Sequence, residues 1–236
     1  MSGFEFLWED GPRLKSAEGV FPLSTDSVLL WSFTSGKRAK RIIDLGCGGG
    51  VLMVLLGAEN KDAVLEGVEI NGKAAETARA NLCENKLTGT VYRSDIKEHR
   101  QLLTAGAYDL VVTNPPYFAG GAASPDSARN TARSEDSCTL EDICTAAGYL
   151  CKWGGRFTMV HRPERLSEIF CAMSRSGLEP KRLRMVHSRA DASPSLVLIE
   201  AKRGAKPGLS ILPSLILHKS DGSFTDEHRG LYRAHP

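Results

Sequence analysis

A tetrapeptide near the middle of the chain, Asn114-Pro115-Pro116-Tyr117, combines residue types that can hold and activate an amine. The prolines stiffen the chain and donate no backbone hydrogen bond, so the nearby carbonyl groups keep a fixed direction. The carbonyls of Asn114 and Pro115 can then accept both hydrogens of one planar NH₂ group. An exocyclic amine is a poor nucleophile and needs alignment and electrostatic help more than a strong base. All four residues are predicted to be catalytic, and Tyr117 and Phe118 offer flat faces on which an extruded base could stack.

A glycine-rich turn precedes this element, where a predicted strand, Arg41–Leu45, runs into Gly46-Cys47-Gly48-Gly49-Gly50. Glycines let the backbone turn tightly and let a ligand approach it closely. The turn lacks the Lys-Ser/Thr pair of a phosphate-binding P-loop, and Val51 interrupts a strict dinucleotide-binding fingerprint. Such a turn alone serves packing as often as nucleotide binding, so the residues around it must decide.

Two carboxylates follow the next predicted strands. Glu69 ends the second strand, where a carboxylate can accept both hydroxyls of a ribose. Asp95 ends the third strand, where it could accept a hydrogen bond from an adenine amino group. The competing interpretations are a solvated Glu69 and an N-cap role for Asp95 before the helix that begins at Ile96. Taken with the glycine turn, the two acids predict an adenosine lying across three strand ends.

The elements that must position these residues alternate between strand and helix. Four strand–helix units in succession predict an α/β fold with a mostly parallel sheet and helices on both faces. Ligands of such sheets bind outside the carboxyl ends of the strands. The predicted strands are Arg41–Leu45, Ala63–Glu69, Thr90–Arg93, Tyr108–Thr113, Gly155–His161 and a final hairpin of Lys181–His187 and Ser195–Ala201. The predicted helices are Val28–Phe33, Val51–Gly57, Lys73–Asn85, Ile96–Ala105, Leu140–Trp153 and Pro163–Ser176, and residues 119–136 are predicted to form a functional loop.

Composition excludes several classes of protein. The 236 residues carry 30 Lys and Arg against 28 Asp and Glu, a net charge of +2, so a nucleic-acid partner would need local basic patches. No apolar run is long enough for a membrane span, and no signal pattern opens the chain. The six cysteines show no CxxC spacing. We therefore expect a cytoplasmic protein with no disulfide framework, no metal site and no membrane partner. The oligomeric state, monomer or homodimer, stays open.

The series from Asp44 to Asp95 resembles the cofactor site of the class I S-adenosylmethionine-dependent methyltransferases. The resemblance implies a Rossmann-like fold with a seven-stranded sheet and S-adenosylmethionine as the cofactor. It also implies that Asp44 orders the glycine turn, whose backbone passes the methionine end of the cofactor. The implied cofactor-binding residues are Thr25, Asp26, Asp44, Gly46, Cys47, Gly48, Glu69, Asp95, Ile96 and Asn114. The Asn-Pro-Pro-Tyr element in this position is similar to that of methyltransferases acting on amino groups.

Three further segments resemble the bacterial tRNA methyltransferases that modify adenine N6 beside the anticodon of a valine tRNA, and those of the Gram-positive type most closely. The segments are residues 21–30 (FPLSTDSVLL), 128–135 (ARNTARSE) and 160–166 (VHRPERL) with 178–182, and the tail SDGSFTDEHRGLY agrees. The resemblance implies methyl transfer to an anticodon-loop adenosine of tRNA. It places Arg129 and Arg133 near the substrate, beside Tyr117 and Phe118.

Other functions stay open at this point. The amino group could belong to an rRNA guanine, a DNA adenine or a protein glutamine, or the chain could be a catalytically silent cofactor- and RNA-binding module. Glutamine methyltransferases carry a helical domain ahead of the glycine turn, whereas 43 residues precede Asp44 here. The expected division is an N-terminal segment with the first helix (1–40), a methyltransferase domain (41–203) and a C-terminal tail (204–236). Basic clusters before the first strand and in the C-terminal half are the expected RNA contacts, and His161 and His187 are given no catalytic role.

Overall fold

A computed structural model describes residues 4–8, 11–15, 24–34, 36, 38–116 and 138–232. The strands are β1 Glu5–Phe6, β2 Arg13–Leu14, β3 Arg41–Leu45, β4 Val64–Glu69, β5 Gly89–Arg93, β6 Tyr108–Thr113, β7 Cys151–His161, β8 Leu178–Arg189, β9 Pro194–Arg203, β10 Ser210–Ile211 and β11 Leu215–His218. The helices are α1 Thr25–Phe33, α2 Val51–Glu59, α3 Gly72–Glu84, α4 His99–Leu102, α5 Leu140–Leu150, α6 Leu166–Arg175 and α7 Asp226–Leu231. Ile96–Glu98 and Pro163–Arg165 are 3₁₀ turns.

The described strands form one nine-stranded sheet and a separate β1–β2 hairpin. The sheet order is β10-β8-β9-β7-β6-β3-β4-β5, and β11 also pairs with β8. The five strands from β7 to β5 are parallel, and β9 runs antiparallel between β7 and β8. The predicted α/β fold with a C-terminal antiparallel hairpin is confirmed. The sheet exceeds the expected seven strands because the tail adds β10 and β11, both parallel to β8, along its outer edge.

The core has two layers, one on each face of the sheet. Successive strand residues point to opposite faces, so Ile42 packs with α1, α2 and α3, while Ile43 packs with α5 and α6. This alternation explains why the parallel strands read as nearly continuous apolar runs, since both faces are covered. None of the helices in the described ranges combines the length and the apolar character that crossing a membrane requires.

Two helix ends differ from the sequence expectation. The helix predicted over Leu140–Trp153 ends at Leu150, because Cys151 already pairs with Tyr108 and begins β7. The helix predicted over Ile96–Ala105 is a 3₁₀ turn followed by α4, since Leu103 adopts an extended conformation and turns into the core. Apolar residues continue beyond both true ends, so hydrophobicity alone extends the helices too far.

Candidate functional site

Four polar or glycine-rich segments lie side by side at the carboxyl edge of the sheet. Strands β6, β3, β4 and β5 are parallel neighbours in that order, so their carboxyl ends meet at one edge. Asn114 follows β6, the glycine turn follows β3, Glu69 ends β4, and Asp95 closely follows β5. The chain passes from β3 to β4 on one side and later returns to β6 on the other. Ligands of open α/β sheets bind in the crevice at such a reversal.

Glycines in the turn after β3 serve two purposes. Gly46, Gly48 and Gly50 have φ values of 74°, 53° and 78°, a left-handed conformation that other residues rarely adopt. A Cβ on Gly50 would lie 2.9 Å from the Cβ of Ala78, so this glycine lets α2 and α3 pack closely. A Cβ on Gly48 would meet no atom within 4 Å. The first part of the turn therefore borders open space, which a ligand could occupy.

Glu69 is fixed by hydrogen bonds, and a merely solvated role does not describe it. One carboxylate oxygen accepts a hydrogen bond from the backbone N–H of Gly48 at 2.8 Å, and the other accepts one from Asn71 at 2.8 Å. The backbone N–H groups of Gly46 and Cys47 both donate to the carbonyl of Val68. The end of β4 thus orders the glycine turn. Each Glu69 oxygen keeps a lone pair with which it could accept a hydroxyl.

Asp44 is a buried carboxylate beneath the turn. Its side chain is 2% exposed, and Oδ1 has no hydrogen-bond donor among the described residues. Burial, with the nearby negative charge of Glu69, raises the pKa of Asp44 to about 8. A cationic ligand in the neighbouring space would favour the ionised carboxylate and lower that pKa. Among the described residues, the hydrogen bonds that order the turn come from Val68 and Glu69, and none comes from Asp44.

Cys47 and Ile96 contribute packing at the same place. The Cys47 side chain is buried, and a Cβ on Gly67 would lie 2.8 Å from its sulfur. Burial raises the pKa of the Cys47 thiol well above its ordinary value, so the residue behaves as a small apolar side chain. Ile96 Cδ1 lies 4.0 Å from the Cβ position of Gly46. Both side chains shape the wall of the crevice.

Asp95 performs the capping role that the sequence offered as an alternative. Its Oδ1 accepts a hydrogen bond from the backbone N–H of Lys97 at 2.9 Å, and Lys97 Nζ lies 3.5 Å from Oδ2. The side chain still lies at the carboxyl end of β5, in line with Glu69. Capping therefore fixes the direction of the carboxylate and leaves lone pairs for a second hydrogen bond.

Asn114 is held by the first turn of α1. Its Nδ2 donates to Ser27 Oγ at 3.0 Å and lies 3.5 Å from Ser24 Oγ. Thr113 Oγ1 donates to the carbonyl of Leu45 at 2.7 Å and ties the end of β6 to β3. With its nitrogen engaged, the Asn114 side chain presents Oδ1 as an acceptor, and no described residue donates to that oxygen. Ser24 also caps α1 by accepting a hydrogen bond from the backbone N–H of Ser27, and the sequence gives no sign of the further contact with Asn114.

The prolines after Asn114 differ in exposure. Pro115 is buried and Pro116 is exposed. The residues that complete the predicted substrate contacts, Tyr117, Phe118, Arg129 and Arg133, lie outside the described residues, as does the predicted loop 119–136. The described part of the element is therefore Asn114 with its two prolines, at the edge of the glycine turn.

Thr25 and Asp26 lie in the first turn of α1, between the two serines that approach Asn114. Together with β11 and α7 they line a cavity of about 640 Å³. Thr25 forms a hydrogen bond with Tyr232. Burial raises the pKa of the Tyr232 phenol, and this outweighs the opposite effect of the hydrogen bond. The two residues thus adjoin the helical turn that holds Asn114 and also face the C-terminal tail.

The family model of the methyltransferase small domain matches residues 13–165 of the chain. The chain belongs to the methyltransferase small domain family. A relative from Parabacteroides distasonis, named tRNA1(Val) (adenine(37)-N6)-methyltransferase, is 30% identical over 96% of this chain and 94% of its own length. A relative of the same name from Bacteroides fragilis is 31% identical over 82% of this chain and 79% of its own length.

Solved structures share the fold. One described as a "predicted O-methyltransferase" from Agrobacterium tumefaciens has a TM-score of 0.73 and 24% identity, covering 89% of this chain and 96% of its own. The 16S rRNA N2 G1207 methyltransferase of Thermus thermophilus, solved with AdoMet and guanosine, has a TM-score of 0.62 and 20% identity, covering 86% of this chain and 50% of its own. The fold is thus that of the S-adenosylmethionine-dependent methyltransferases.

The residues at the strand ends fit this cofactor. The open space beside Gly48 admits a ligand against the backbone, and Glu69 offers two acceptor oxygens. The buried Asp44 carboxylate suits a ligand that carries positive charge, as the sulfonium and ammonium groups do. Thr25 and Asp26 of the implied cofactor-binding set line the cavity beside β11 and α7, which includes none of the glycine-turn residues, Glu69 or Asp95. The roles of the residues at the strand ends are taken up below as a proposal.

Five arginines of the predicted basic clusters pair with acids. The pairs are Arg41 with Glu66, Arg182 with Glu200, Arg165 with Glu168, Arg184 with Glu227 and Arg189 with Asp191. His161 is buried, with a pKa lowered by burial to about 4, and accepts a hydrogen bond from the backbone of Arg162. Among the described residues no group of three His, Cys, Asp or Glu side chains is arranged for a metal, and all six cysteines are free thiols.

Proposed function

We propose that this chain transfers the methyl group of S-adenosylmethionine to N6 of an adenine in tRNA, at an anticodon-loop adenosine of a valine tRNA, in the cytoplasm. The observation that supports the proposal most is Asn114, which stands beside the glycine turn with its amide nitrogen held by Ser27 and its oxygen turned to accept. The names of the relatives from Parabacteroides and Bacteroides support the choice of substrate.

The chain's own residues would bind the cofactor across three strand ends. Glu69 would accept the ribose hydroxyls, Asp95 would accept the adenine amino group, and the backbone from Gly46 to Gly48 would border the methionine end. Asp44 would stabilise its positive charge from below. When bound, the cofactor supplies an activated methyl group on a positively charged sulfur. The positive charge on that sulfur makes the methyl group electrophilic enough to react with the lone pair of a neutral amine, so no strong base is needed.

Asn114 and the Pro115 carbonyl would hold the two N–H groups of the substrate amine. This alignment directs the nitrogen lone pair toward the methyl group, and its benefit lies in positioning and electrostatics. The proton that the nitrogen loses passes to water. Because anticodon-loop bases are already partly unstacked, turning one of them into the site costs less than extruding a base from a helix.

Mass spectrometry of nucleosides tests this proposal. Total tRNA would be incubated with the purified protein and methyl-labelled S-adenosylmethionine, separated into isoacceptors and digested. We expect labelled N6-methyladenosine in valine tRNA, and none from Asn114→Ala protein that still binds the cofactor. Absence of label in every tRNA would refute the tRNA assignment, and rRNA, DNA and release-factor glutamine would then be tested in that order. Equal label from Asn114→Ala and the unchanged protein would refute the catalytic role.

A further inference from the structure

The tail cavity, defined as the 640 Å³ space beside α1, is formed by four segments that are separate in the sequence. Thr25 and Asp26 come from the start of α1, and Arg162 directly follows β7. Ser195 and Leu196 lie at the start of β9, and the remaining wall comes from residues 217–232. Its volume falls within the roughly 300–1,000 Å³ of small-molecule sites. The lining includes none of the glycine-turn residues and none of Asp44, Glu69 and Asp95.

The lining of the tail cavity combines an aromatic face with positive charge. Phe224 is 49% exposed and stands on a wall that also includes buried Leu196. Arg162 and Arg229 bring two guanidinium groups, against the single carboxylate of Asp26 on the same wall. A bare anion would gain nothing from the aromatic face. A nucleotide would use the aromatic face with its flat base, the guanidinium groups with its phosphate and the Asp26 carboxylate with its sugar hydroxyls.

Phe224 is held in place before any ligand arrives. It forms a backbone bridge with His218, and its ring lies 5.0 Å from that of His218 and 4.6 Å from that of His228. Thr225 donates from Oγ1 to the carbonyl of Ile216 and caps α7. Because these contacts already order Phe224, a base that stacks on it would lose little affinity to ordering the wall.

Arg229 is available to a phosphate at small cost. Its side chain is 44% exposed and pairs with Asp226, which is 83% exposed. An exposed ion pair of this kind contributes little to stability, so a phosphate could replace Asp226 as the partner. Arg162 is anchored differently, since its Nη1 donates to the carbonyl of Ser195 at 3.1 Å.

The cavity and the reactive amide share one helical turn. Ser24 and Ser27 face Asn114, whereas Thr25 and Asp26, between them in the sequence, face the cavity. We propose that the tail cavity binds a nucleotide of the substrate RNA that flanks the methylated adenosine, with its base stacked on Phe224 and its phosphate held by Arg229. This inference rests on the proposed function and adds a second RNA contact to it.

Binding of an anticodon stem-loop of valine tRNA, followed by fluorescence anisotropy with S-adenosylhomocysteine present, tests the inference. Phe224→Ala should raise the Kd for this RNA at least about fivefold, the lower end for loss of one stacked base. Arg229→Ala should also reduce the slope of log K against log salt by about one. The matched controls are Trp153→Ala, an aromatic that is 78% exposed near the amino end of β7, and Arg175→Ala, an arginine that is 71% exposed on α6.

Calorimetric affinity for S-adenosylmethionine distinguishes a cavity that binds RNA from one that binds the cofactor. It should stay unchanged in both cavity variants, and a loss in Phe224→Ala would assign the cavity to the cofactor and overturn the inference. An RNA affinity no weaker than that of the control variants would overturn it too. Phe224→Leu keeps the apolar volume without the flat ring and should reproduce the loss in a folded protein. If the unchanged protein methylates no tRNA, the proposed function fails, whereas methylation with insensitive cavity variants removes this inference alone.

Discussion

Ser27 controls the orientation of the Asn114 side chain, and removing its hydroxyl isolates that contribution. In Ser27→Ala the 3.0 Å hydrogen bond from Asn114 Nδ2 is lost, and the remaining partner, Ser24 Oγ, lies at 3.5 Å, the outer limit for such a bond. The Asn114 amide would then rotate more freely, so its oxygen would spend less time directed at the substrate amine. The substitution removes one hydroxyl group and leaves Asn114 itself intact.

A neutral hydrogen bond contributes about 0.5–1.5 kcal/mol net. At about 1.36 kcal/mol for each factor of ten in rate, the loss of alignment in Ser27→Ala should lower kcat by roughly 2-fold to 13-fold. Affinity for S-adenosylmethionine should change much less than kcat, because the glycine turn, Glu69 and Asp95, which would hold most of the cofactor, are not ordered by Ser27. Single-turnover methyl transfer to tRNA, with calorimetric cofactor binding, measures both quantities.

Ser32→Ala is the matched control, because the Ser32 hydroxyl bonds to the carbonyl of Leu29 within the same helix. It should leave kcat unchanged. The stricter check is a double-mutant cycle, since Ser27→Ala acts only through Asn114. In an Asn114→Ala background the serine change should therefore have no further effect on the residual rate. An equal loss in both backgrounds, or a normal kcat in the single variant, would show that the contact does not orient Asn114.

Three further outcomes follow from the cofactor edge of the sheet. Glu69→Ala should weaken S-adenosylmethionine binding by about 1–3 kcal/mol, the scale of lost hydrogen bonds to a charged group, and unchanged calorimetric affinity would remove Glu69 from the site. The pKa of Asp44, about 8 in the folded chain against 3.8 ordinarily, means that the folded state binds the extra proton between these values. The contribution of this group to stability should therefore fall as the pH rises from about 4 to 8. The melting temperature of Asp44→Asn should depend less on pH over this range, and a pH profile identical to that of the unchanged protein would contradict the raised pKa of Asp44. Gly50→Ala would place a Cβ 2.9 Å from that of Ala78 and should lower the melting temperature more than Gly48→Ala, whose Cβ would meet nothing within 4 Å. Gly48→Ala should chiefly weaken cofactor binding. Equal losses of stability would contradict a packing role for Gly50 and a binding role for Gly48.

Much of the sheet could be predicted from local patterns in the sequence. The predicted bounds of β3 and β6 agree with the structure. Each is a short apolar run, which Gly46 ends after β3 and Asn114-Pro115 ends after β6. Parallel strands bring their carboxyl ends to one edge, so the placement of Asn114, Glu69 and Asp95 near the glycine turn follows from topology. Helix ends were harder to predict, as at Leu150, because apolar residues continue into the next strand.

Contacts between distant segments were beyond sequence reasoning. The bond from Asn114 to Ser27 spans 87 positions and depends on where α1 crosses the sheet. The serines carry a sufficient local explanation as capping residues, which hides the second role. Nor does the sequence show that Oδ1 of Asp44 lacks a donor, since that follows from how β3 is covered. The tail cavity forms where four segments meet, and the sequence had linked only Thr25 and Asp26 among them to a binding site.

The C-terminal tail has a consequence for the behaviour of shortened chains. Strands β10 and β11 cover the outer edge of β8, whose backbone N–H and C=O groups would otherwise face water. An uncovered edge strand of 12 residues is a template for pairing with another chain. A chain cut before Ser210 would lose the cavity wall and gain a self-associating edge together. We therefore expect such a truncation to aggregate, which makes single substitutions in the tail the informative way to examine its contact with RNA.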